Sequence, residues 1–143
     1  MYQHKYTLDL LAEFGLNDAK PISTPMDYMV KLSKTSSTHL GDVSSHIILI
    51  GRLMYLTNTR PDICFLVSTV SQYLDYARDT HFKAALHVFR HLKGAPAKGV
   101  LFFAFADLNL TAFSDSDWGA SPDTRRSVFG FYYFLGKFLI SWR

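Results

Sequence analysis

The amino-acid sequence predicts an α+β chain, with helices first and strands last, on three observations. Up to Lys98 the apolar residues recur at three- and four-residue intervals, the period of a half-buried helix. Beyond Gly99 the runs shorten and fill with aromatic and β-favouring residues. Gly and Pro fall between the runs, where each can end an element.

Each element follows from local chemistry. Tyr6 or Thr7, with Leu10, Leu11 and Phe14, shares a helical face over Tyr6 to Phe14, and Gly15 supplies a C-cap. Asp18 to Leu40 holds Pro21, Pro25 and many Ser and Thr without a period. An extended connector is expected there, long enough to suggest that it runs along a surface belonging to something else.

Ile47, Leu49, Ile50, Leu53, Met54 and Leu56 mark a helix that Arg60-Pro61 interrupts, because a residue before Pro is pushed out of the helical region. Pro61 suits a first helical position, and Ile63, Val67, Val70, Ser71 and Leu74 carry a second helix from Asp62 to about Tyr76. Thr80 is the expected cap of a third, His81 to Leu92, ending at Gly94 before Pro96. Its apolar stripe is Phe82, Ala85, Leu86, Phe89 and Leu92, with Lys83, His87, Arg90 and His91 on the other side. Val100 to Phe105, Leu108 to Ser116, Ser127 to Leu135 and Phe138 to Trp142 read as strands of an antiparallel meander, with Gly136-Lys137 a tight reversal.

Composition bounds the function. The 143 residues are 48% hydrophobic and 15% aromatic, with 12 Phe and 8 Tyr, but only 19% charged. That balance leaves apolar surface for further protein to meet. A net charge of +3 implies neither nucleic acid nor a membrane surface by itself. Its distribution says more, since Arg78 to Lys98 carries five Lys or Arg against one acid, Asp79. The single Cys64 allows no internal disulfide and reads as buried and inert. With no long apolar run and no secretory leader pattern, an intracellular protein, cytoplasmic or nuclear and not membrane-bound, is expected.

The candidate chemistry lies in FSDSDWGASPDTRRSVFG, residues 113 to 130. Residues two apart in a strand share a face, so Asp115 and Asp117 would set two carboxylates side by side. A divalent cation relieves such repulsion, and oxygen ligation suits Mg²⁺ or Mn²⁺. Two-metal hydrolysis needs more oxygen ligands than these. Asp-x-Asp beside a turn is equally a solvated or structural pair, and Arg125 and Arg126 either face water, neutralise the acids or contact phosphates. His81, His87 and His91 read as solvated or phosphate-facing rather than as a metal triad.

FSDSDWGASPDTRRSVFGFYYFLGKFLISW resembles the start of the ribonuclease H domain of Copia-type (Ty1/copia) LTR retrotransposon Pol polyproteins. KYTLDLLAEFGLNDAKPISTPMD is similar to the stretch behind the reverse-transcriptase palm, GRLMYLTNTRPDICFLVSTVSQYL to the region between polymerase and ribonuclease H, and HFKAALHVFRHLKG to the helix that follows. The four come in the family's order and cover essentially the whole chain. The resemblance implies a reverse-transcriptase C-terminal helix and connector over 1–41, a helical connection region over 42–98, and the first strands of a truncated ribonuclease H-like domain over 99–143.

It further implies that Asp115 is the family's first metal-binding aspartate, with Mg²⁺ the family's cofactor. Thr59 to Asp62 and Lys83 to Lys93 correspond to the part that supports template and primer. Lys83, His87, Arg90 and Lys93, with Arg125 and Arg126, are then the expected contacts to an RNA-DNA hybrid or another nucleic-acid backbone. The chain departs from the pattern in having no Tyr-x-Asp-Asp tetrad, no Glu but Glu13, and Val128, Phe129 and Lys137 where small or polar residues are usual. A single ligand, Asp115, makes a weak and incomplete cation site, so neither polymerase nor nuclease activity and no cofactor are expected of the isolated chain. Two alternatives stand beside this: a non-catalytic nucleic-acid-binding module, and one piece of an RNA-directed DNA polymerase and ribonuclease H assembled with the remaining Pol domains.

Overall fold

The computed structural model describes residues 1–143 except Tyr28, Lys31, 103–107, Ala120, Pro122 and Arg126. Residues 2–99 form one compact unit, and Met1 with 100–143 forms another.

The first unit is helical. Helix α1 spans His4–Glu13 and ends in a Schellman motif. Leu16 N–H donates to the Leu11 carbonyl at 2.7 Å and Gly15 N–H to that of Ala12 at 3.1 Å. Gly15 has φ +65°, a conformation that a side chain would strain. Helix α2, Val43–Leu56, starts at Asp42, whose carboxylate accepts from the Ser45 amide at 3.0 Å. The Ser45 hydroxyl also donates to it, and these bonds hold the Asp42 carboxyl below its ordinary pKa.

Leu49, Ile50, Leu53 and Leu56 of α2 are buried, while Ile47, Ile48, Met54 and Tyr55 are exposed. Ile47 and Met54, counted with the apolar periodicity, therefore lie on its outer face. His46 stands in the core with both ring nitrogens unpartnered. Burial, with the neighbouring His81, holds its pKa below the usual histidine value.

Arg60 breaks the helix as expected, with φ −125° and ψ 78°. Pro61–Ile63 form a 3₁₀ turn leading into α3, Cys64–Ser71. The second helix thus stops short of Tyr76. Thr69 and Ser71 hydroxyls donate back to the Phe65 and Ser68 carbonyls, both at 2.8 Å, and the Gln72 and Tyr73 amides shift to carbonyls three residues back. Such back-bonding favours the tighter turn.

Helix α4 spans Asp79–Gly94, with Arg78 rather than Thr80 at its N-cap. Thr80 lies inside the first turn, where its hydroxyl meets that of Ser36 at 2.6 Å. The buried stripe is His81, Ala85, Val88, Phe89 and Leu92, with Phe82 and Leu86 packed at its margin. Leu10 and Leu11 of α1, Leu32 of the connector and the buried faces of α2, α3 and α4 make one hydrophobic cluster. Cys64 is half-buried beside the Thr57 and Arg60 carbonyls.

The second unit is an antiparallel sheet of order β1-β2-β3: Leu110–Ser116, Phe129–Leu135 and Phe138–Trp142. Leu110 pairs with Leu135 and Ser116 with Phe129, and a bulge interrupts β2–β3 between Tyr133 and Phe134. Gly136-Lys137 makes the predicted reversal, with Gly136 at φ +58°. Val100 to Phe102 are not a strand, and the rest of that expected strand lies outside the described residues. Every residue of β1 is exposed, and no residue of β2 or β3 is fully buried.

Candidate nucleic-acid interface

Helix α4 carries Lys83, His87, Arg90 and Lys93 at helical spacing. Its buried stripe fixes which way they point, so the four fall along one side. Lys83 is 71% exposed and pairs with Asp79 one turn earlier. The other three meet the chain itself. His87 Nε2 lies 3.0 Å from the Thr24 carbonyl, and Arg90 Nε donates to that of Lys20 at 3.0 Å. Lys93 Nζ donates to the carbonyls of Leu16 at 3.4 Å, Asn17, and Ala19 at 2.8 Å.

Residues 16–24 thus form a strap laid along α4, also tied by the Ile22 amide to the Arg90 carbonyl at 3.2 Å. The connector's first half therefore follows a surface of its own unit, not of something else. Its polar backbone needs donors, and α4 supplies them. Leu16, Ala19 and Ile22 are half-buried, while Asn17, Asp18, Lys20, Pro21, Ser23 and Thr24 are exposed.

A second pin holds the connector further on. His81 is fully buried, so it is neither solvated nor phosphate-facing, which corrects the expectation for this residue. Its Nδ1 accepts from the Arg78 amide at 3.2 Å, which leaves Nε2 as the donor toward the Ser33 carbonyl at 3.1 Å. The ring stacks on Tyr73 at 4.1 Å, and the Tyr73 hydroxyl donates to the Leu32 carbonyl at 3.1 Å.

Behind the C-terminal end of α4 lies an ion cluster. Arg60 is 2% exposed; its Nε and one terminal nitrogen each bond Asp62 at 2.9 Å, and the other bonds the Ala95 carbonyl at 2.8 Å. Lys98 reaches Asp62 at 3.1 Å and His91 Nε2 lies 3.4 Å away. Burial pushes the Asp62 carboxyl up, but hydrogen bonds and charges from Arg60 and Lys98 outweigh it and pull it well below the usual range. The Thr59 hydroxyl donates to Gln3 Oε1 at 2.6 Å. Thr59 to Asp62 are thereby fixed as a junction between helices.

In the sheet unit, Asp115 sits on exposed β1 opposite Gly130, one carboxylate oxygen accepting from the Ser116 amide at 2.9 Å. Asp117 falls just past the strand end, and its amide bonds the Val128 carbonyl at 3.0 Å, next in the register after Ser116 and Phe129. Arg125 is exposed with φ +55°. Arg126 lies outside the described residues. Among the described residues no three His, Cys, Asp or Glu side chains converge to hold a metal. Among the described residues Asp115 offers one exposed carboxylate, and a two-Mg²⁺ centre would need further oxygen ligands beside it.

Among the described residues no helix is long and apolar enough to cross a membrane. Sequence reading missed the strap tethers, the Tyr73–His81 pin and the Lys98–Asp62 contact. The strap tethers, the bonds from Tyr73 and His81 to the connector, and the Lys98–Asp62 contact each join residues 36 or more positions apart, which no local pattern reports.

The retrovirus-related Pol polyprotein from transposon RE2 of Arabidopsis thaliana is 40% identical over 140 residues, 98% of this chain. That from transposon TNT 1-94 of Nicotiana tabacum is 32% identical over 99% of the chain. An uncharacterized mitochondrial protein of Arabidopsis thaliana is 46% identical over 88 residues, 58% of this chain and 79% of its own length. Nearly the whole chain is thus similar to copia-type, retrovirus-related Pol polyproteins. It spans 10% of the RE2 polyprotein and 11% of the TNT 1-94 one. No family model and no solved structure matches it.

Proposed function

We propose that these residues are the Pol segment joining the end of the reverse transcriptase to the first strands of a ribonuclease H-like domain, and that alone they bind rather than cut. The observation that carries the reading is Asp115. It stands on the first strand of an antiparallel meander, as the ribonuclease H-like reading requires, yet its single exposed carboxylate is all that this strand offers a metal. In-line displacement at a phosphodiester needs attacking and leaving oxygens each held by a cation, and hence several converging carboxylates.

What the polypeptide does supply is a cationic side on α4. Lys83, His87, Arg90 and Lys93 repeat along it, and a nucleic-acid backbone repeats its phosphates in the same direction. An RNA-DNA hybrid is the partner expected, with affinity from charge rather than from base reading.

The test is an assay of the purified 143-residue protein on hybrid RNA with Mg²⁺, beside its Asp115→Asn variant. The expected result is binding that weakens as salt rises, weakens further on Lys83→Glu with Arg90→Glu, and no cleavage above the variant. Cleavage that needs Mg²⁺ and disappears with Asp115→Asn would overturn the non-catalytic reading.

A second reading, one piece of an assembled polymerase and ribonuclease H, draws support from the wholly exposed β1 and from Trp118, 98% exposed. Aromatic strands without a cover are a surface that further Pol sequence would bury. Mg²⁺-dependent activity that co-purifies with separately supplied palm and downstream domains is its test.

A further inference from the structure

We propose that the strap, residues 16–24, is an internal competitor for the cationic side of α4, so that a polyanion binds there only by lifting it. The proposal rests on the reading of α4 as a nucleic-acid interface and adds its regulation.

Donor accounting leads to it. An ammonium has three N–H donors, and Lys93 Nζ meets three strap carbonyls, those of Leu16, Asn17 and Ala19. No phosphate oxygen can join Lys93 without displacing one of them. Arg90 gives its Nε to Lys20 and His87 directs Nε2 at Thr24, so with Lys93 three polar side chains on this side of the helix are engaged by one segment. Every acceptor they use is a neutral backbone carbonyl. A phosphate oxygen carries charge and forms the stronger bond to the same donors.

The strap is also the kind of segment that can leave. It contributes no fully buried residue to the core, and only its half-buried Leu16, at the end next to α1, packs against that cluster. Its half-buried apolar contacts are Leu16, Ala19 and Ile22, and the remainder is exposed. Segments with few buried apolar contacts open at low free energy while the core stays folded. The helix does not depend on the strap for its own burial, because Ala85, Val88, Phe89 and Leu92 face the other helices.

The closed strap therefore taxes affinity by the fraction of molecules in which it is lifted. Ile22 reports its position, since its amide is bonded to the Arg90 carbonyl when the strap is down. The experiment measures hydrogen exchange at the Ile22 amide with and without a short RNA-DNA hybrid, together with hybrid affinity of the wild type and of Ile22→Gly. Circular dichroism confirms that the variant keeps its helices.

Lifting predicts that hybrid speeds exchange at Ile22 while amides of α2 stay protected, and that Ile22→Gly binds about tenfold more tightly, as removal of such a tax allows. Hybrid binding with Ile22 still protected and with unchanged affinity in Ile22→Gly would overturn the strap proposal and leave the interface standing. Binding by neither protein would overturn both.

Discussion

The helical unit and the sheet unit have much the same taste for large apolar residues but use them differently. In residues 2–99, Leu49, Ile50, Leu53, Leu56, Val70, Ala85, Val88, Phe89 and Leu92 are all at 0% exposure. In the sheet, Phe113 is 60% exposed, Phe129 52% and Tyr132 44%. The helices bury one another because each turns one apolar face towards several neighbours. A three-stranded sheet has two faces and, by itself, nothing to lay against either. Hydrogen bonds set the sheet's register, while side-chain burial sets the stability of the helical unit.

The sharpest way to break this contrast is to truncate one aromatic in each unit. Phe89→Ala should destabilise the helical unit by about 3–5 kcal/mol, read as a fall in the urea midpoint followed at helical ellipticity. Phe113→Ala should change stability by only about 0.5 kcal/mol. Similar losses from both would mean that the sheet has a hidden core.

Next in size is the ion cluster. Asp62→Asn leaves the buried Arg60 guanidinium without its charge partner, and loss of one member of such a pair costs about 3 kcal/mol. Linkage gives the acid side of the same effect. The folded carboxyl titrates below its unfolded value near 3.8, so its contribution is fully present above that pH and is lost as pH falls through and below it. The wild type should lose more stability than Asp62→Asn between pH 5 and pH 3, values chosen to bracket roughly the ordinary carboxylate pKa.

His46 sharpens the comparison in the opposite direction. Its depressed folded pKa means that the unfolded chain takes up a proton first, so stability held above an unfolded value of 6.5 is lost as pH falls below it. His46→Leu should remove that loss and, by deleting two unpartnered buried nitrogens, raise stability by about 1 kcal/mol at neutral pH. Melting temperatures at pH 8 and at about pH 5.5 check both; a variant as pH-sensitive as the wild type would show that another group titrates.

The smallest effect concerns local opening. Amides of α2 and α4 should exchange only in the slowest class, whereas those of β1, exposed along its length, should exchange earlier. Equal protection would place the sheet in the same cooperative unit as the helices.

What the sequence disclosed follows the range of the interactions involved. Gly15, Arg60-Pro61 and Gly136-Lys137 were legible because φ restrictions act within one or two residues. The α4 stripe was legible in Ala85, Phe89 and Leu92, but His81 was assigned to solvent because a lone polar residue looks the same whether its bonds go to water or to Arg78 and Ser33. The early end of α3 at Ser71 depended on hydroxyls bonding backward, a choice that composition leaves open. The cationic residues of α4 could be grouped by spacing. Their partners could not, because strap carbonyls carry no side-chain signature and lie 63 to 77 positions away. Asp115 is legible from its neighbours in sequence, whereas convergence of further carboxylates on it is a property of space, and among the described residues no three metal-binding side chains converge.

The Arg60 guanidinium has a consequence for the order of assembly. It joins the residue before Pro61, where the path into α3 begins, to Ala95, the residue after α4 ends. Both helices lie inside the loop that this one side chain closes. Departure of that side chain should release the two helices together, as one kinetic event rather than as two frayed ends.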